Sequence, residues 1–506
     1  MKFNLLKSRA ERKIVNYEGA RAYATSPAIE LYTAVVTTSL SDKFYETADD
    51  RMSRLRKLIA MNDPIFVAKL AVYTREQMNL RSVPLVLAVE LAAKHRGDSI
   101  VGNLTARVIQ RADEITELLA YYSLANQRTG VKKLNKLSKQ LQRGLAIAFN
   151  RFDEYQFSKY NRDTAISLKD ALFLVHPKAK DANQQMLFDK IVNDDLRIAY
   201  TWESELSALG QQSFETEMSK ATARRSKWEE LIFSNKMGYM ATLRNLRNIL
   251  EANVGNEALE KVCAYLASPK AVAESRQLPF RFLSAYRELK DVPHGRTSRL
   301  LTALESAVSL SAANIEGYRA DTKVVLAADV SGSMQLAISP KSKVQNFDIG
   351  LMLAMLLQSR CADVVTGMFG DTWKMIQVPK NNILANVLEF HQREGEVGYS
   401  TNGYLVIRDL LDRKKAVDKI MIFTDMQLWN SQNTRDSIAG VWKQYKQLAP
   451  GSKLYLFDLA GHGMAPLRLE SGDVYLIAGW SDKIFSALHA IENGSDALEV
   501  INRIEL

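Results

Sequence analysis

Cys263 and Cys361 are the two cysteines in 506 residues, and neither stands at metal-ligand spacing from a partner. A disulfide framework and a zinc site are therefore excluded, and both thiols are expected in cores. No apolar run approaches the length that spans a bilayer, so a membrane protein is not expected. The first 13 residues lack the apolar stretch and small-residue cleavage site of a secretory signal, which predicts a cytoplasmic chain. Neither G-x-G-x-x-G nor G-x-x-x-x-G-K-[ST] occurs, which removes dinucleotide and P-loop readings. No Ser-His-Asp order, paired acids in a cleft pattern or nucleophile with a nearby base is found, so an enzyme is not expected.

What remains is a long, ordinary globular composition, 47% hydrophobic and 25% charged. Such a length predicts two or three domains with ample burial. The net charge of +10 is uneven. Residues 1–320 carry roughly 48 basic and 36 acidic side chains, against roughly 19 and 21 in 321–506. The excess belongs to the first part, where it fits either a solvated surface or an acidic partner.

The two parts also differ in pattern. Up to residue 320 the chain reads as helix after helix: Ala28 to Leu40, Asp49 to Met61, Pro64 to Met78, Val83 to His95, Asp113 to Ser123 and Ser167 to Val175 repeat apolar residues every three or four positions. Stacked helix pairs of this kind build α-solenoids, whose curvature suits long ligands, and no clean period marks the repeats. The helical pattern breaks between Leu310 and Lys323. Beyond it, apolar runs at 323–328, 364–369, 375–378, 419–424, 453–458 and 474–477 alternate with helical segments near 345–360, 382–392, 404–412, 431–448 and 481–492. This rhythm predicts a doubly wound α/β sheet with one short antiparallel edge.

Three of its loops carry oxygen ligands. The run from Lys323 ends in Asp329-Val-Ser331-Gly-Ser333, with Gly332 giving the turn its freedom. A lone D-x-S-x-S also fits a turn that caps the next helix. Two companions favour a cation instead: Ile420-Met-Ile-Phe-Thr-Asp425, a second apolar run ending in an acid, and Gly398-Tyr-Ser-Thr401-Asn-Gly403. Carboxylates and hydroxyls at strand ends suit a hard divalent ion such as Mg²⁺. Together these loops resemble the metal-ion-dependent adhesion site of von Willebrand A domains. The resemblance implies that Ser331, Ser333 and Thr401 surround the ion and that Asp329 and Asp425 support it, with Ser400 an alternative to Thr401.

The helical part has its own resemblance. Asn16-Tyr-Glu-Gly19 with Ala22-Tyr23, Ala68 to Arg75 followed by Arg81-Ser-Val-Pro84, Trp228-Glu-Glu-Leu, Met240 to Asn248, and Glu274-Ser-Arg-Gln-Leu-Pro279-Phe280 resemble the TROVE module of the Ro ribonucleoprotein family. A von Willebrand A domain after that module is the Ro architecture. The chain is thus expected to comprise a HEAT-like helical-repeat ring at 1–320 and a von Willebrand A-like domain at 321–506.

That resemblance gives the basic clusters a context. Lys132, Lys133, Lys136 and Lys139, continued by Arg143 and Arg151, fall at helical spacing, where a solvated face is the competing explanation. Lys159, Arg162, Lys169, His176, Lys178 and Lys180 surround the helix at Ser167 to Val175, a charge density that phosphates require. In Ro proteins this region borders a hole that admits single-stranded RNA ends, so Lys159, Arg162, Lys169 and His176 lead the expected RNA contacts. Arg224, Arg225, Lys227, Arg244 and Arg247 fit an outer groove for folded RNA, unless Arg244 and Arg247 make structural ion pairs with Glu229 and Glu230. Tyr155, Phe157 and Tyr160 could stack on bases or belong to the core.

The function implied is binding of small structured noncoding (Y-like) RNA and of single-stranded 3′ ends of misfolded or maturing RNA, in RNA quality control. A 3′-exoribonuclease tethered through RNA is an implied partner. The alternative is a protein-interaction scaffold whose Mg²⁺ site captures an acidic side chain.

Overall fold

The computed structural model describes residues 14–16, 20–37, 48–126, 137–161, 164–313, 315–338, 342–428, 437–462, 464–469, 472–493 and 498–506. The chain forms two compact units, one of residues 1–58 with 314–498, the other of 59–313 with 499–506. The boundary near 313 falls where the helical pattern breaks. The division departs from the expected 1–320 and 321–506 at both ends: the first 58 residues join the α/β unit, and the last eight join the helical one.

Nine strands are described: β1 (Ile14–Val15), β2 (Arg21–Ala24), β3 (Lys323–Asp329), β4 (Asp363–Phe369), β5 (Trp373–Met375), β6 (Lys419–Thr424), β7 (Lys453–Asp458), β8 (Met464–Ala465) and β9 (Val474–Ala478). Six of them make one sheet in the order β5-β4-β3-β6-β7-β9. Five run parallel and β5 is the antiparallel edge. Helices Asn346–Arg360, Ile383–Gln392, Tyr404–Asp412, Ile438–Leu448 and Ile484–Glu492 alternate with the strands. This is the doubly wound α/β fold expected of this part of the chain. β3 and β6 are buried along almost their whole length, which is why both read as unbroken apolar runs rather than alternating ones.

The edge strand corrects one expectation. Residues 375–378 were the apolar run, but Trp373–Met375 pairs with β4, with Gly367 opposite Met375. A Cβ at Gly367 would crowd the Trp373 ring and the Lys374 carbonyl, so glycine lets the edge strand close in.

The N-terminal segment is part of the same unit. β2 pairs with β1 and β8, the Tyr32 hydroxyl donates to the Ala478 carbonyl at 3.2 Å, and the buried Arg51 donates to the Ala460 carbonyl at 3.0 Å. Helix Pro27–Val36 begins as its sequence dictates, with Ser26 accepting from the Ile29 amide and Pro27 at the first position. Such a cap contributes about 1 kcal/mol.

The helical unit is a succession of helix pairs. Pro64–Glu76 packs on Ser82–Lys94 and Ile100–Val108, which packs on Lys139–Phe149; further along, Glu217–Phe233, Asn256–Leu266 and Thr297–Ser311 pack in turn. One buried junction explains part of the TROVE-like signature. Glu114 is fully buried and accepts from the Arg75 guanidinium at 2.8 and 3.1 Å, from Arg81 at 3.2 Å, and from the Gln110 and Arg111 amides. Removing one partner of such a pair costs about 3–5 kcal/mol. Arg75 and Arg81 are therefore fold-bearing. Trp228, another signature residue, is buried and stacks on Trp202 at 6.4 Å. No described helix is long and apolar enough to cross a membrane.

Candidate cation site and nucleic-acid interface

Parallel pairing sets the cation loops side by side. Ala328 is in register with Phe423, so Asp329 and Thr424 leave the sheet together. The Thr424 hydroxyl donates to Asp329 Oδ2 at 2.6 Å, and the Ser331 amide donates to Oδ1 at 2.8 Å. The Ser331 and Ser333 hydroxyls stand 3.3 Å apart. On the next loop, the Gln427 amide donates to Asp425 Oδ1 at 3.0 Å.

The third loop is brought in by backbone bonds. The Gly332 amide donates to the Tyr399 carbonyl at 3.2 Å, Thr372 to Val397 at 3.0 Å, and Asn402 to Gly370 at 3.3 Å. Asp371 adds a side-chain anchor, accepting from the Ser400 amide at 3.0 Å. Asp371 and Gly370 escaped the sequence reading, although both lie within two residues of the end of an apolar run, near the position that marked Asp329 and Asp425.

All five expected ligands lie on loops at this edge, and none is more than 5% exposed. Thr401 Oγ1 is buried without a hydrogen-bond partner, as is Asn402 Oδ1. Ser400 is exposed. Leaving a buried hydroxyl unsatisfied costs about 1–3 kcal/mol, and a divalent cation would remove that penalty. Burial first, then the Asp425 charge, pushes the Asp329 carboxyl well above the usual carboxylate range. Two acids and three hydroxyls form a hard-oxygen donor set, so the residues fit Mg²⁺. No cluster of three or more His, Cys, Asp or Glu side chains suited to a metal occurs among the described residues.

The basic residues fare unevenly. Lys132, Lys133, Lys136 and Arg162 lie outside the described residues. Lys159 is exposed on helix Glu154–Tyr160, its amine 5.5 Å from the ring centres of both Tyr155 and Tyr160, and the Arg111 guanidinium lies 4.2 Å over Tyr160. Phe157 is fully buried against Phe149 and Phe152, so it belongs to the core while Tyr155 remains 43% exposed. Arg111 was not among the sequence candidates. Nothing local marks it, because Tyr160 lies 49 residues away in sequence.

His176 caps helix Leu168–Val175 in the left-handed conformation, its amide donating to Leu172, and the residue is exposed. Asn150 fixes the following turn, donating to the Lys178 carbonyl and accepting from the Lys180 amide, which leaves both lysines on the surface. Lys169 is less free, since its amine pairs with Asp194 at 2.7 Å.

In the third group the ion pairs differ from those expected. Glu229 holds Arg225 and Glu230 holds Lys227, whereas Arg247 pairs with Glu251 at 2.7 Å and reaches Glu288 at 3.8 Å. Arg244 is exposed and close enough to Arg281 that its charge adds to burial in lowering the Arg281 pKa.

The fold thus joins a stack of helix pairs bearing exposed cations and aromatic rings to a doubly wound α/β unit. The TROVE domain model matches residues 31–205 and 196–299, more than half of the chain, and the protein belongs to the TROVE domain family. It is similar to the rat (Rattus norvegicus) protein telomerase protein component 1, at 28% identity over 298 residues, and to its mouse (Mus musculus) counterpart, at 27% over 297. These alignments take in 46% and 45% of this chain but 11% of either relative, so the chain spans about a tenth of their length. Among solved structures, the Ro (RSR) protein of Deinococcus radiodurans shares the fold, with a TM-score of 0.57 and 19% identity over 93% of this chain and 100% of that one.

Proposed function

We propose that the protein is an RNA-binding ribonucleoprotein component and not an enzyme. It binds small structured noncoding RNA of the Y-like kind, together with the single-stranded 3′ ends of misfolded or maturing RNA. The observation that carries this reading is the exposed Lys159, flanked by Tyr155, Tyr160 and Arg111, within the stretch that matches the TROVE model. Lysine draws the backbone by charge and the rings accept bases, a combination that suits unpaired strands. Lys178, Lys180 and His176 extend it. A ring of helices would admit one strand and exclude a duplex by width, while surface charge attracts both. The role is RNA quality control in the cytoplasm, with an exoribonuclease tethered through the bound RNA.

Competition at fixed salt tests this. A hairpin with a single-stranded 3′ tail is expected to outcompete its blunt counterpart by more than tenfold, which is about 1.4 kcal/mol. Equal competition would remove strand threading and leave a nonspecific basic surface.

The orphaned Thr401 hydroxyl favours a second, compatible activity: Mg²⁺ held by Ser331, Ser333 and Thr401, supported by Asp329 and Asp425, with a coordination position left for an acidic partner. Calorimetric titration of Mg²⁺ tests it, and absence of binding heat at millimolar metal would overturn it.

A further inference from the structure

In the helical unit, Tyr265 borders two cavities. The first, about 280 Å³, is floored by Ile232, Met237 and Val262 and edged by Asn235, Thr242 and Lys261. The second, about 390 Å³, is mixed, with Ser268, Lys270 and Glu274 on its wall beside Tyr239 and Ala271. Tyr265 lines both and meets Tyr239 edge-on, with ring centres 5.6 Å apart. We propose that the first cavity takes one unpaired nucleobase of an RNA strand, stacked on Tyr265, while that nucleotide's ribose and phosphate lie towards Lys261 and Lys270.

Size is the first argument. Ligand pockets usually occupy about 300–1,000 Å³, so this one suits a single planar ring system and not an extended ligand. Chemistry is the second. Apolar walls receive a base face, the Asn235 amide offers the donor and acceptor that a base edge uses, and the Thr242 hydroxyl, which donates to the Gly238 carbonyl at 3.3 Å, keeps its acceptor capacity. The rim is the third: Lys261, on the cavity wall, lies 5.2 Å over the Phe233 ring and donates to the Phe233 carbonyl. Phe233 is 41% and Tyr265 37% exposed. Exposed rings beside lysines are how sequence-tolerant single-strand sites hold successive bases. An apolar side chain from a protein partner would fill the floor but leave the amide, hydroxyl and amines unused.

The inference rests on the RNA-binding reading, so its test separates the two. Nine-nucleotide rA and rU oligomers are titrated by fluorescence anisotropy over a range of salt. Tyr265→Leu is expected to weaken both by about tenfold without changing the salt slope, because a stacked base releases no counterions. Tyr265→Phe should bind as the parent does. Asn235 sits at φ 56°, where glycine is equally at ease, so Asn235→Gly keeps the turn and removes only the amide. It should change the rA-to-rU preference about threefold or more, with the thermal midpoint unchanged. If the parent binds the oligomers and Tyr265→Leu binds them equally well, the base pocket is wrong and the RNA reading stands. If the parent binds no RNA, both fall. Saturable binding of N-acetyltryptophan amide that adenosine and uridine monophosphates do not displace would assign the cavity to a protein side chain and overturn the proposal.

Discussion

The α/β unit and the helical unit carry their polar residues in opposite ways. At the sheet edge, five buried side chains lie on loops that parallel register and backbone bonds hold side by side. On the helices, cations stand apart on exposed faces, and acids elsewhere in the fold decide which of them remain available. The first arrangement is all-or-none; the second is graded. Substitutions should therefore abolish function in one unit and erode it in the other.

The largest effect is expected from Asp329→Ala with Ser331→Ala. The pair removes a carboxylate that accepts two short bonds and one of two adjacent hydroxyls. Calorimetry should detect no Mg²⁺ binding, while RNA affinity stays within about twofold of the parent, since charge on the helical unit is untouched. Comparable loss of RNA affinity would break the separation between the units.

Next comes a change that deletes no ligand. A Cβ on Gly370 would overlap the Gly398 carbonyl, forcing the 397–402 loop away from β4. Gly370→Ala should lower Mg²⁺ affinity at least tenfold and destabilise the protein by about 1–3 kcal/mol. Unchanged metal affinity would mean that backbone approach does not build the site.

The helical surface should respond by degrees. Lys159→Ala is expected to flatten the salt dependence on single strands by about 0.7, the share of one phosphate. Lys169→Ala should flatten it less, because its amine already neutralises Asp194 at 2.7 Å. Slopes measured by anisotropy between low and moderate salt distinguish the two.

The same contrast governed what the sequence made legible. Asp329 and Asp425 were visible because each ends a buried strand, and a strand buried on both faces leaves an unbroken apolar run before its acid. Placement of the N-terminal segment was not visible. It depends on partners such as Tyr32 with Ala478 and Asn16 with Leu428, more than 400 residues apart, and on the strands Ile14–Val15 and Met464–Ala465, two residues each, too short for any alternation. Basic clusters were visible as charge, but their availability was not. Ion pairing joins Lys169 to Asp194 and Arg247 to Glu288 across distances in sequence over which no periodicity acts.

The smallest expected effect is the sharpest test of the graded surface, because it sets two arginines three residues apart against each other. Arg244 is exposed beside Arg281, so two like charges are held close and an anion nearby would relieve their repulsion. Arg247 is equally exposed but satisfied, bonded to Glu251 at 2.7 Å and within 3.8 Å of Glu288. Exposed pairs of that kind add little to stability, so neither substitution should unfold the protein. Arg247→Ala would also free two carboxylates that repel phosphate, so its effect on affinity should remain within about twofold while Arg244→Ala lowers affinity by about threefold to fivefold. The measurement is paired anisotropy titration with a folded hairpin RNA at one salt concentration. Equal losses from the two substitutions would mean that ion pairing within the fold does not decide which cations meet RNA.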